Sequence, residues 1–445
     1  MKEMSRRTFF IGSASAALLA GSVASTRAVA KEDAPVSAND KLNIAAIGAG
    51  GKGAADLSSV SRENIVALCD VDDAKAAESY ERYPKATRYK DFRVMLEKEK
   101  GIDAVIIATP DHTHAVAAMA CMELGKHVYV EKPLTHTIAE ARKLTETARR
   151  CKVATQMGNQ GHAGPGVRNC CEWIWDGAIG AVKEVHIWTN RPVWPQGIDR
   201  PADTPPVPAT LDWDLWLSTA PERPYNPAYC PFKWRGWWDF GCGALGDMAC
   251  HIMDPANWAM KLYETKDPIT IEAESSGINA ETGPVWSIIR YQFPARGDMP
   301  PVKVTWYDGG KVPARPEGIE AEAKLGDDEN GSLFVGEKGF LTTGEYGGGS
   351  RLLPNTLMKE YKRPENRIPK SPGHHFEWIR ACKGGEPAGS NFDYAGPFTE
   401  IVLLGNVALR AGKPIVWDPV KMQITNDPEA NQFVSKKYRK GWEVV

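Results

Sequence analysis

A short apolar run at residues 42–47 breaks into Gly48-Ala49-Gly50-Gly51-Lys52-Gly53, after which residues 54–60 can continue as a helix. Strand, glycine turn and helix in that order make a βα unit whose helix N-terminus opens toward an anion. Gly48 permits the tight turn, Gly50 with Gly51 beside it lets the backbone approach a pyrophosphate, and Gly53 lets helix and strand pack closely. A second apolar run, 65–69, ends in Asp70, about where such a unit places a carboxylate to accept both ribose hydroxyls. Asp72 and Asp73 stand close enough to share that contact. A carboxylate there repels a 2′-phosphate, so NAD is expected rather than NADP.

The strand-helix rhythm continues. Apolar runs at 104–108, 127–130 and 153–157 alternate with helical patterns at 114–124 and from Thr137 to about residue 151, the latter opened by the capping box Thr137-Ile138-Ala139-Glu140. Strands alternating with helices imply an α/β fold with a parallel, doubly wound Rossmann sheet. Past Gly158 the rhythm changes. A helix at 167–175 and a strand at 182–189 lead into a stretch to Phe240 rich in proline and tryptophan. Runs at 269–274, 285–293 and 302–307 then follow without helices between them, as antiparallel strands do. The expected organisation is a leader at 1–30, a dinucleotide domain at 41–158, an α+β domain with an open, largely antiparallel sheet at 159–420, and a tail at 421–445 that wraps either its own domain or a neighbouring subunit.

A chain of 445 residues exceeds what one hydrophobic core usually organises, in keeping with two domains. Its formal net charge of -2 provides no field for phosphate backbones, so nucleic acid is not an expected partner. The nine cysteines are odd in number and lack a CxxC spacing. Neither a disulfide framework nor a zinc site is expected, and no metal is assigned. A homo-oligomer is the expected assembly.

The N-terminus reads as an address. Ser5-Arg6-Arg7-Thr8-Phe9-Phe10 sets paired arginines before an apolar run reaching Val23, and Ala28-Val29-Ala30 offers the small residues of a cleavage site. This resembles a twin-arginine signal, with cleavage after Ala30 and a periplasmic or extracellular product. The run is too short and too weakly apolar for stable membrane insertion, although an ordinary secretory leader or a retained anchor are the other readings.

Ala108-Thr109-Pro110-Asp111-His112-Thr113-His114, followed by Val130-Glu131-Lys132-Pro133-Leu134, resembles the signature of the glucose-fructose oxidoreductase, inositol dehydrogenase and rhizopine-catabolism (Gfo/Idh/MocA) family. The resemblance extends to Gly243-Ala244-Leu245-Gly246-Asp247-Met248-Ala249-Cys250-His251. It implies an oxidoreductase with Lys132 between nicotinamide and substrate. It also places Glu131, Thr109, Pro110 and His114 with Lys132 on the cofactor. Asp247 and His251 stand four residues apart and so project from one helical face, an acid beside an imidazole able to work near neutral pH. Taken alone, such a pair is also what a capped core helix carries.

The implied substrate is a carbohydrate-like hydroxyl compound. Fifteen tryptophans are many, and most fall before residue 260. Indole faces suit sugar C–H surfaces, so Arg191, Trp194, Arg235, Trp237 and Trp238 form the expected substrate wall, although any single ring is better explained by the core or a subunit contact. A helix starting near His374 and His375 could bring a histidine to the cleft. Three activities remain open: sugar oxidation with a tightly held cofactor, glycoside hydrolysis through transient oxidation without net redox change, and cofactor-bound sugar binding without turnover.

Overall fold

In the computed structural model, residues 40–327, 329–365 and 367–444 are described, and the twin-arginine segment lies outside them. The first half builds β1 (Asn43–Ile47), α1 (Lys52–Ser59), β2 (Asn64–Cys69), α2 (Asp73–Arg82), β3 (Thr87–Tyr89), α3 (Phe92–Lys98), β4 (Ala104–Ile107), α4 (Asp111–Glu123), β5 (His127–Val130), α5 (Ile138–Cys151) and β6 (Thr155–Met157). These six strands are parallel in the order β3-β2-β1-β4-β5-β6. The order reverses beside β1, where a doubly wound sheet opens a crevice at its carboxyl edge. Residues 44–47 of β1 and all of β4 are apolar because helices cover both faces. The capping box forms: the Glu140 N–H donates to Thr137 Oγ1 at 3.3 Å, and the Glu140 carboxylate accepts the Thr137 N–H at 2.9 Å. Helix α4 starts at Asp111, three residues ahead of the expected 114, because Pro110 seats the first turn.

The second half contributes α6 (Pro165–Trp175), β7 (Val182–Trp188), α7 (Trp213–Leu217), α8 (Gly243–Ile252), α9 (Asp254–Ala259), β8 (Ile269–Ser275), β9 (Ser287–Phe293) and β10 (Val302–Tyr307). It continues with β11 (Gly331–Gly336), β12 (Phe340–Thr343), β13 (Arg351–Leu353), α10 (Asn355–Glu360), α11 (His374–Cys382), α12 (Phe392–Ala411), β14 (Ile415–Asp418) and β15 (Gln423–Ile424). Its nine-stranded sheet runs β13-β12-β11-β7-β10-β9-β8-β14-β15, with the β7–β10 pair parallel and the other pairs antiparallel. The expected open, largely antiparallel sheet is present, made mixed by the one parallel pair.

Helix α12, buried along nearly its whole length, packs on α5 of the first half and on β8 and α8 of the second. One apolar interior therefore passes from the Rossmann layer into the second sheet, and Leu42–Val445 is a single compact unit. The tail wraps its own chain: Tyr438 donates to Glu140 at 3.0 Å, and Lys143 donates to the Val444 carbonyl at 2.9 Å. All nine cysteines are free, seven of them buried. No helix among the described residues is long and apolar enough to cross a membrane.

Candidate functional site

A cavity of about 570 Å³ opens at the carboxyl edge of the parallel sheet. One end is the glycine turn. Gly48 takes φ +80°, and a Cβ there would lie 2.6 Å from the Ala108 carbonyl oxygen. A Cβ on Gly50 would meet the Lys75 carbonyl oxygen at 2.4 Å, and one on Gly53 would meet that of Gly48 at 1.8 Å. Gly51 has φ +54° and open space around it. Helix α1 begins here with no side chain capping its first turn and no acidic residue in it, which leaves its N–H groups facing an anion. Asp70 lines the same end, its carboxylate accepting the N–H groups of Gly50 at 3.1 Å and Asp72 at 2.9 Å. It thus braces the turn and retains lone pairs for a ribose. This donor set fits a dinucleotide.

Gly53→Ala is expected to cost about 2–3 kcal/mol by overpacking, and to weaken NADH binding at least tenfold. Urea unfolding and a fluorescence titration measure the two effects. Gly51→Ala has room for its methyl, but at φ +54°, ψ -114° the backbone is one that only glycine adopts readily, so about 1–3 kcal/mol should be lost to strain.

At the other end, Lys132 follows β5 and meets α8. Its Nζ donates to Asp247 Oδ1 at 2.9 Å and to the Asp247 carbonyl at 2.8 Å. Arg235 Nε donates to the same carboxylate oxygen at 3.1 Å. Burial by itself pushes the Asp247 carboxyl upward, but the two cations outweigh it and bring its pKa to about 2. Burial likewise pulls the Lys132 ammonium down, and Asp247 with Glu131 more than offsets that, leaving it raised. His251, one turn beyond Asp247, lines the cavity with its ring edge-on to Tyr346 at 4.8 Å. Burial, reinforced by Lys132, holds its pKa well below the usual histidine value, and its Nδ1 has no hydrogen-bond partner among the described residues.

Helix α8 is fixed from both halves. The Cys242 N–H donates to Asp111 Oδ2 at 3.0 Å, and Asn406 donates to the Cys242 carbonyl at 2.8 Å. Glu131 is buried beside Lys132, 2.9 Å from Lys52 Nζ, and accepts from Gln160 Nε2 at 3.0 Å. Burial and the repulsion of Asp56 lift its pKa to about 7 against the pull of Lys52. Thr109 and Pro110 also line the cavity.

Three placements differ from expectation. His114 lies outside the cavity lining and is fully enclosed; its Nδ1 sits 2.8 Å from the Pro133 carbonyl and its Nε2 2.9 Å from that of Thr109. It holds the two signature turns together. Of the substrate wall, Arg191 and Arg235 line the cavity, whereas Trp194, Trp237 and Trp238 do not. Trp194 donates to Gln196, Trp237 packs in a separate apolar cluster with its indole N–H on the Ala228 carbonyl, and Trp238 lies against Arg410. The interior of the loop takes up these three rings, while Trp216 and Trp234 of the same stretch reach the cavity wall. Neither His374 nor His375 reaches it: the first sits on the Met157 carbonyl, the second on Asp56.

Sequence reasoning missed Gln160, Trp216, Phe232, Trp234, Glu345, Tyr346 and Trp442, all in the cavity wall. A signal existed for Tyr346, which stands in the run Gly344-Glu345-Tyr346-Gly347-Gly348-Gly349. A Cβ on Gly166 would lie 1.9 Å from the Gly347 carbonyl oxygen, so glycine is what lets this loop lie on α6. No signal existed for Trp442.

A Rossmann sheet with a glycine turn and brace carboxylate, joined to an open mixed sheet that supplies a Lys-Asp-His group, defines a dinucleotide-dependent oxidoreductase class of fold. Residues 42–159 match the NAD-binding Rossmann-fold model of the Gfo/Idh/MocA oxidoreductase family, and residues 187–299 match its C-terminal alpha/beta domain. The chain belongs to this family, and its cofactor is NAD.

The levoglucosan dehydrogenase of Pseudarthrobacter phenanthrenivorans is 27% identical over 191 residues, 43% of this chain and 41% of that protein. The myo-inositol 2-dehydrogenase of Thermotoga maritima is 26% identical over 157 residues, 35% of this chain and 47% of that protein. The chain thus spans less than half the length of these curated relatives. Among solved structures, the WlbA dehydrogenase from Bordetella pertussis in complex with NADH and UDP-GlcNAcA superposes with a TM-score of 0.57 at 14% identity, covering 84% of this chain and 98% of that one. A levoglucosan dehydrogenase in complex with NADH gives 0.55 at 18% identity, covering 84% and 99%. These two show likeness of fold.

Proposed function

We propose that this chain oxidises a secondary hydroxyl of a carbohydrate-like substrate with tightly held NAD. The observation that carries the reading is the Lys132–Asp247 ion pair with His251 one turn away, in the same cavity as the glycine turn. Gly50, Gly51 and the start of α1 would hold the pyrophosphate, Asp70 the ribose, and Thr109, Pro110 and Glu131 the nicotinamide side. NAD, when bound, supplies the acceptor for the hydride leaving the carbinol carbon. His251, kept neutral by burial, has a lone pair for the hydroxyl proton. Lys132 remains an ammonium and donates to the oxygen as negative charge builds on it, and Asp247 holds that ammonium in place. Arg191 and Arg235 offer donors to further hydroxyls. The dehydrogenase names of the relatives, which concern levoglucosan and inositols, support a polyhydroxylated substrate.

With His251 as base, its depressed value sets the pH profile. The single-turnover rate should stay level through pH 6.5 and decline only further into acid. An inflection at 6.5 would reject a buried neutral His251 as the base.

The deciding experiment is to denature the purified protein, identify the released dinucleotide, and screen glycosides for reduction of the bound cofactor. A keto-sugar product supports oxidation. A cleaved glycoside with no net redox change supports the hydrolytic variant, and binding without a reduced-nicotinamide band supports a protein that binds without turnover. We also infer twin-arginine export as a folded, cofactor-loaded protein, to the periplasm or beyond, from Arg6-Arg7 and Ala28-Val29-Ala30. Lys-Lys in place of Arg6-Arg7 should hold the protein in the cytoplasm. A homo-oligomer is the assembly we expect, to be checked by light scattering.

A further inference from the structure

The C-terminal tail lies outside both family-model matches, which end at residues 159 and 299. Its Trp442, three residues from the end of the chain, is only 6% exposed and lines the main cavity. Chain ends stay ordered only when tied down, and this one is tied at several points. The Arg439 N–H and Nε donate to the carbonyls of Thr219 and Ser218, at 3.2 and 2.9 Å. The Trp442 N–H closes a turn on the Arg439 carbonyl at 3.0 Å. The indole lies beside Phe92 at the start of α3, with the guanidinium of Arg93 over its ring at 4.0 Å and that of Arg439 at 5.5 Å.

Trp442 stands on Phe92, which follows Lys90 in the cavity wall, and the Asp70 N–H donates to the Tyr89 carbonyl at 3.0 Å, so Trp442 lies at the end of the cavity that carries Asp70 and Lys90. A carboxylate after the second strand of such a fold meets the adenosine ribose, so this is the adenosine end. The facing wall also comes from outside the Rossmann fold. Leu211 bridges to Asp72, the Asp212 N–H donates to the Val71 carbonyl at 2.9 Å, and Lys90 donates to the Thr210 carbonyl at 2.9 Å. That segment carries Leu215 and Trp216 into the cavity wall. Two segments remote in sequence therefore meet over an end that an isolated Rossmann domain leaves open. Their apolar faces suit a flat base.

We propose that Trp442 and the tail holding it form a latch over the adenosine half of the bound dinucleotide and set how slowly it leaves. This rests on the NAD reading and extends it to a segment that neither family match includes. The latch acts on the base end alone, so the nicotinamide half should not feel it.

The test uses the full chain as wild type, Trp442→Ala and Trp442→Phe. Stopped-flow release of NADH, chased by excess NAD, should accelerate tenfold or more in Trp442→Ala and be largely restored in Trp442→Phe. Affinity for reduced nicotinamide mononucleotide, which lacks the adenosine, should stay within twofold in all three. The thermal midpoint of nucleotide-free protein reports whether the Ala variant folds. NADH release unchanged within twofold overturns the proposal, as does equal weakening of both nucleotides, which marks general disturbance. If the wild-type protein binds neither nucleotide, the NAD reading itself falls, and that outcome is distinct from tail-insensitive release.

Discussion

Lys132→Met is expected to slow single-turnover reduction of bound NAD by a factor of about 10³ or more, while leaving NADH affinity within a fewfold of wild type. The ammonium sits where its two resolved hydrogen bonds both go to Asp247, which leaves its third N–H for a substrate oxygen. Methionine keeps the apolar stem and removes the charge. In a buried site, a fixed cation beside a developing alkoxide is worth far more than in water, because no solvent must reorganise to replace it. Rapid-mixing absorbance at the reduced-nicotinamide band measures the rate. A rate within tenfold of wild type would remove Lys132 from the chemistry.

Asp247→Asn should reduce turnover by about 10² and also destabilise the fold by about 3 kcal/mol, since breaking a buried ion pair strands the surviving charges. Lys132 and Arg235 would then face each other with no carboxylate between them, and the Lys132 ammonium would titrate lower. The pH dependence has a definite sign. The depressed Asp247 value means that its contribution is present above the unfolded value of 3.8 and lost as pH falls through about 2. The raised Lys132 value means that its contribution is present below 10.5 and lost as pH climbs through the higher folded value. From about pH 4 up to the alkaline range in which Lys132 of the variant begins to lose its proton, the stability difference between wild type and Asp247→Asn should therefore be flat, by denaturant unfolding. In the variant, Lys132 falls back under the burial penalty, so an alkaline limb should enter the rate profile at lower pH than in wild type. A sloping difference across that window would mean that the pair is not ionised as described.

The glycine turn was legible because each glycine meets a backbone demand that can be stated from spacing: a positive φ at Gly48, close approach at Gly50, helix on strand at Gly53. The same holds for the capping box of α5, a local motif complete within four residues. Asp247 and His251 could be placed on one face because helical periodicity fixes it. The aromatic loop offered no such rule. Its tryptophans are alike in sequence, and whether a ring faces core or cleft depends on what packs behind it, so Trp194, Trp237 and Trp238 went inward while Trp216 and Trp234 reached the cavity wall. Trp442 was out of reach for a different reason: its partners, Phe92 and Arg93, lie some 350 positions away, and no local pattern encodes that contact.

The sequence by itself determined that the first sheet is parallel and doubly wound, that a glycine turn opens onto a helix N-terminus, and which residue types stand at the carboxyl edge, because period, capping and glycine sterics act within a few residues. Only the tertiary structure decided that Lys132 pairs with Asp247, that His114 staples two turns, and that Trp442 of the tail lines the cavity. Those outcomes depend on long-range packing around α8 and α12, where burial alters both which groups meet and how strongly their charges act.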